Sequence, residues 1–274
     1  MEYFFDAIVD TLKTLPFLYL AYLAVEQFEH RSQKKLLLWL QKSQRAQTLV
    51  GALTGIIPGC GFALAATGLF TANIISFATL VAVYLVSCDE AYLYFLAAGK
   101  FSLLIMVLSI MFLIALFSGY LAGFLLKAEF PPATKLQNEH RDCDDNIFIT
   151  ALQRCLKIAL LLLVTNTLFN LLLSSANLSL LGNSILNQRF LQPAFTALIA
   201  LIPNCALSVL FANLYFHSLI SFGSLISGLL ASSGTSYILL FQSSLKFSLK
   251  IKIIAFILTV AILSGCLLSF FTFD

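Results

Sequence analysis

The sequence predicts an all-α, polytopic membrane protein of two inverted repeats, each with a proline-broken helix, and three observations carry that prediction. The first is composition: 60% of the chain is apolar and 11% charged, where a soluble domain carries about 25% charged residues. Charge-free runs cover 46–88, 101–126, 158–188, 190–245 and 253–273, each reaching or exceeding the roughly 20 residues that cross a bilayer as helix. The second is internal repetition. Setting residue n against n+145 from Ile56 to Val83 pairs Pro58/Pro203, Cys60/Cys205, Leu69/Leu214, Ile75/Ile220, Ser76/Ser221, Phe77/Phe222 and Leu80/Leu225 without a gap, and proline and cysteine are rare in apolar windows. The third is charge. The loop after the first span holds Arg31, Lys34, Lys35, Lys42 and Arg45, whereas its equivalent holds only Arg189. Conversely Lys246, Lys250 and Lys252 cluster where the first half has only Lys100. Equivalent loops then face opposite sides, which requires inverted halves with an odd number of crossings each.

Residues 4–25 form the first span, with Pro16 inside it and Glu26, Glu29 and His30 at its end. The start lacks the basic leader and small-residue cleavage site of a signal peptide, so this helix is expected to be retained. The basic segment 31–45 surrounds Leu36-Leu37-Leu38-Trp39-Leu40 and should lie on the cytoplasmic membrane face, with the N-terminus outside. The window 46–88 would be about 65 Å long as unbroken helix, roughly two crossings' worth. It is interrupted at Gly55-Ile56-Ile57-Pro58-Gly59-Cys60-Gly61-Phe62 and again near Ala72-Asn73, because proline removes a donor and clashes with the preceding turn. Residues 101–126 form a plain span with Gly119 and Gly123 at a spacing suited to close helix contact.

The link around Pro131-Pro132 and Glu139-His140-Arg141-Asp142-Cys143-Asp144-Asp145 separates the halves, giving boundaries at 1–128, 129–146 and 147–274. The second half repeats the plan: a span over 147–173, a break at Leu201-Ile202-Pro203-Asn204-Cys205-Ala206-Leu207-Ser208, a weaker break at Ser232-Ser233-Gly234 and a last span over 252–271. Ala7/Ala151, Leu12/Leu156 and Lys13/Lys157, offset by 144, carry the duplication back to the first span. Five helical segments per half are expected.

All cysteines but Cys143 lie in or beside expected spans, which argues against a disulfide framework. Neither a nucleic-acid signature nor a nucleotide-binding fingerprint is present, so an ion gradient or a separate partner would supply any energy. An intramembrane aspartyl protease needs two opposed carboxylates, yet Gly234 stands where the first half has Asp89, and no zinc-binding His-Glu-x-x-His helix exists.

Several stretches resemble one family, the ten-span heavy-metal exporters, whose members are catalogued as arsenic efflux proteins or manganese transporters. They are Asp10 to Leu18, the box Pro58 to Phe62, Ile75 to Leu80, and Ser87 to Glu90. In the second half they are Leu201 to Ala206 with Ser208-Val209, then Leu214-Tyr215 and Ile220 to Gly223. The resemblance implies a multi-pass transporter of the bacterial inner membrane, not an enzyme and without a cofactor, exporting an arsenite- or manganese-class ion; a coupling proton is a separate expectation that rests on Asp89 and Glu90. The family tends to have glutamine at Gly59 and serine at Ala63, and a glycine-rich stretch where Ser232 to Ser236 stand.

If the breaks meet at the midplane, Cys60 and Cys205 face each other, and thiolates suit thiophilic metals or arsenite; as a bland alternative, cysteine is a common small filler of membrane helices. Asp89 and Glu90 are acids in an uncharged environment, where a carboxylate binds a cation or carries a proton unless it sits paired at a helix end. Cys88 beside them is a third soft ligand. Asn204 and Ser208 offer oxygens at the second break, against the plainer role of holding helices together. Asn213, Asn166 and Asn170 fit that plainer role, and His217 reads as interfacial. A passive channel or accessory subunit is the alternative function, and a membrane-embedded enzyme a weaker one.

Overall fold

The computed structural model describes residues 44–57, 60–72, 74–87, 91–125, 191–204, 206–234, 236–243 and 245–271. The expected spans 4–25 and 147–173 and the linker 129–146 lie outside them. All regular structure among the described residues is helical: α1 (Gln44–Gly55), α2 (Cys60–Thr71), α3 (Phe77–Val86), α4 (Ala91–Ala97) and α5 (Phe101–Leu125), then α6 (Leu191–Ala200), α7 (Ala206–Phe216), α8 (Phe222–Ala231), α9 (Ser236–Gln242) and α10 (Phe247–Phe271).

The window 46–88 holds three helices, divided near the two expected breaks. One division falls where the sequence has Pro58-Gly59; the other falls before Ser76, whose hydroxyl accepts from the Thr79 amide at 3.3 Å and so starts α3. Ser221 starts α8 in the same way, accepting from the Ser224 amide at 3.2 Å. Five helices are described in each set. Both sets carry a third interruption, between α3 and α4 and between α8 and α9.

Each set packs by the same rule. α1, α3 and α5 form one trio, α6, α8 and α10 the other. Every residue of α3 and of α8 is buried, whereas α5 and α10, 25 residues each, bury one stripe and leave the rest exposed. An apolar helix exposed on most of its circumference is what lipid requires. Among the described residues, three stretches, Phe101–Leu125, Phe222–Gln242 and Phe247–Phe270, are long and apolar enough to cross a membrane.

The trios close on small residues. A Cβ placed on Gly119 would lie 2.9 Å from both the Ala78 carbonyl and Thr48 Cγ2. On Gly265 it would lie 2.6 Å from Ser227 Cβ and 2.8 Å from the Gly223 carbonyl. The expected close contact at Gly119 is therefore with α3 and α1, and α10 repeats it against α8.

Between the sets, contacts come in exchanged pairs. α2 lies on α9 and α7 lies on α4; α3 touches α10 and α8 touches α5; α3 and α8 touch each other. The short pieces on either side of the breaks are thus what each set offers the other.

Candidate functional site

Positioning begins with one glutamine in each trio. Gln47 Nε2 donates to the Ile74 carbonyl at 3.2 Å, while its Oε1 accepts from the Ser76 amide at 3.0 Å and the Thr79 hydroxyl at 3.1 Å. Gln192 does the same in the second half: Nε2 to the Leu219 carbonyl at 3.2 Å, Oε1 from the Ser221 amide at 3.0 Å and the Ser224 hydroxyl at 2.9 Å. Both glutamines are buried, so these bonds replace water at the turn into α3 and α8.

Held this way, α3 and α8 deliver their C-terminal breaks to a common crossing. The Ser233 hydroxyl, in the α8–α9 break, donates to the Tyr84 carbonyl in the last turn of α3 at 3.2 Å. The Tyr84 hydroxyl donates to the carbonyl of Ser236, the first residue of α9, at 3.2 Å. It also lies 2.5 Å from Thr67 Oγ1 on α2. The Tyr237 ring meets that of Tyr84 edge-on, centroids 5.6 Å apart, and its hydroxyl donates to the Ala231 carbonyl at 2.9 Å. Thr67, Tyr84, Ser232, Ser233, Ser236 and Tyr237 are all buried. A hydroxyl-rich interior at two helix breaks, inside an apolar protein, is where a polar solute can be handled without lipid contact.

The exchanged crossing of α4 and α7 is built differently. Asn213 Nδ2 donates to the Tyr94 hydroxyl at 2.8 Å, and Phe216 stacks on Tyr94 at 5.5 Å and meets Phe95 edge-on at 5.4 Å.

Comparison with known proteins follows this architecture. The family described as "Putative, 10TM heavy-metal exporter" matches residues 6–182. The chain belongs to the ten-span heavy-metal exporter family. As a member of that family it is a membrane transporter whose cargo is a metal ion. The match covers α1 to α5 and ends before α6, so the box Leu201 to Ser208 lies beyond it and is tied to the first half by the repeat. No curated protein and no solved structure matches.

In this transporter, Asn204 and Ser208 are buried, 5% and 1% exposed, at the start of α7, where the Asn204 carbonyl accepts from the Leu207 amide at 3.4 Å. Cys60 is the first residue of α2. Cys205, Cys88, Asp89 and Glu90 lie outside the described residues, as do Asn166 and Asn170. Asn213 does hold helices together, and His217 is exposed. Among the described residues no group of three His, Cys, Asp or Glu could hold a metal.

Sequence reasoning missed the two glutamines, which stand ahead of the repeat window in each half. It also missed Tyr84, Thr67, Ser233, Ser236 and Lys250. Lys250 is 7% exposed, and its ammonium donates to the Phe241 and Ser243 carbonyls at 2.7 Å each, closing the C-terminus of α9. In the first half Gly99 closes α4, at φ 67°, with the Gly99 amide on the Leu96 carbonyl and the Lys100 amide on the Phe95 carbonyl.

Proposed function

We propose that the chain is a secondary exporter of a heavy-metal or metalloid ion, of the arsenite or manganese class, working by alternating access between two inverted halves, 1–128 and 147–274, joined by 129–146. The observation that carries this reading is the exchange of crossings: α2 on α9 against α7 on α4, and α3 on α10 against α8 on α5, about the mutual contact of α3 and α8. Exchange of that kind is the signature of a two-fold relation between like bodies. The matching glutamine bonds of the two trios support the same duplication. Two rigid trios with interrupted helices between them are suited to rocking about a polar centre.

In this reading Cys60 and Cys205, with Cys88, are soft ligands from the breaks, and Asn204 and Ser208 add oxygens beside Cys205. Asp89 and Glu90 supply charge for the ion or carry the coupling proton. The test is survival of cells lacking their own exporters in arsenite, manganese, zinc, cadmium and copper, with intracellular metal measured alongside. Wild type should protect against at least one. Loss with Cys60→Ala and Cys205→Ala identifies a soft cargo, and loss with Asp89→Asn alone identifies manganese or proton coupling. Wild type that changes neither survival nor metal content ends the exporter reading.

A further inference from the structure

The crossing of α3 with the α8–α9 break contains more hydroxyls than the fold uses, and their protons show what the surplus can bind. Thr67 donates to the Ala63 carbonyl at 2.7 Å, Tyr84 to Ser236, Ser233 to Tyr84, and Tyr237 to Ala231, every acceptor being a backbone carbonyl. The Thr67 to Tyr84 contact shares one of those protons and adds none. With donors committed, the cluster offers oxygen lone pairs.

Ser236 is the second observation. It is 0% exposed, and its Oγ is the one buried side-chain nitrogen or oxygen among the described residues with no hydrogen-bond partner. An orphaned buried hydroxyl is destabilising, and alanine would fill the position at no such cost. The break also ends α8, whose last carbonyls carry the negative end of a fully buried ten-residue helix.

We propose that this crossing binds a small hard monovalent cation of the sodium type, coordinated by the hydroxyl oxygens of Ser233, Ser236 and Tyr237 and by carbonyls at the C-terminus of α8. Hard cations take oxygen ligands, and unwound carbonyls with half-helix C-termini are a known way to hold them in transporters. The proposed ligands are neutral hydroxyls and carbonyls, a set that suits one charge better than two. The coupling role of the cation rests on the exporter reading; its binding does not.

The test is thermal unfolding of the purified full-length chain in detergent, with choline chloride replaced by NaCl, KCl or MnCl2 at constant ionic strength. Wild type should show a saturable rise in Tm with sodium. Ser236→Ala should be at least as stable as wild type in choline and need about tenfold or more sodium for the same rise. That combination separates a lost ligand from a damaged fold. The proposal is overturned if sodium and choline act alike on wild type, if Ser236→Ala responds to sodium as wild type does, or if only manganese stabilises. Failure of metal protection in cells would leave a positive sodium result standing.

Discussion

After α3 the chain reads Ser87-Cys88-Asp89-Glu90, and at the equivalent place after α8 it reads Ser232-Ser233-Gly234-Thr235. At the opposite ends of the same two helices, Gln47 and Gln192 make the same three bonds at nearly the same lengths. The two halves thus keep one skeleton and differ in the chemistry at its interruptions. At the break after α3 the chain offers a thiol and carboxylates, and at the break after α8 it offers the hydroxyls that fasten Tyr84. Leu229 stands at the position equivalent to Tyr84, and Ala212 at that of Thr67, so the hydroxyl crossing has no twin. A duplicated scaffold whose centre is asymmetric can hold two kinds of solute at once.

The comparison can be broken most sharply at the glutamines. Gln47→Ala and Gln192→Ala each strand a carbonyl, an amide and a hydroxyl in the interior, and each should cost about 3 kcal/mol or more. Urea unfolding should give similar losses for both, and a large loss in only one would mean that the two skeletons do not do equal work. Next come Gly119→Val and Gly265→Val, which force α5 off α3 and α10 off α8. About 2 to 3 kcal/mol of destabilisation is expected in each, read in the same assay.

The half-specific closures are smaller. Lys250→Met removes two charge-assisted bonds from the end of α9 and should cost about 2 kcal/mol, whereas Lys100→Met, exposed beside the Gly99 turn, should change Tm immeasurably. Equal effects would remove the asymmetry between those ends. Smallest is Tyr94→Phe, which takes the hydroxyl from Asn213 while keeping the ring on Phe216, for about 1 kcal/mol.

Much of the architecture was legible in the residues. Helical class, the interruption at Pro58 and Pro203 and the close approach at Gly119 follow from composition, proline chemistry and small-residue spacing. Both breaks that divide 46–88 were legible, whereas the residue that starts α3 was not, because it depends on a serine cap whose strength comes from Gln47, on a different helix. Single-residue identity in an apolar alignment also hides equivalence: Thr79 and Ser224 differ by name yet present the same hydroxyl to Gln47 and Gln192. Of the candidate site, Asn204 and Ser208, expected as oxygen ligands at the second break, are buried there. Tyr84 was not, since a tyrosine among Val83, Leu85 and Val86 reads as core, and only the fold brings Ser233 and Ser236 to it from distant parts of the chain.

The two outermost helices add a variable of their own. At 1.5 Å per residue, the length of α5 or α10 comes to about 37 Å, several ångströms more than the ~30 Å of a typical hydrocarbon layer. Gly119 and Gly265 fix how these helices lean on the buried pair inside them, so neither can tilt without taking its trio along. Acyl-chain length in reconstituted vesicles should therefore bias the relative lean of the two trios, making the thickness of the surrounding lipid a regulator of turnover.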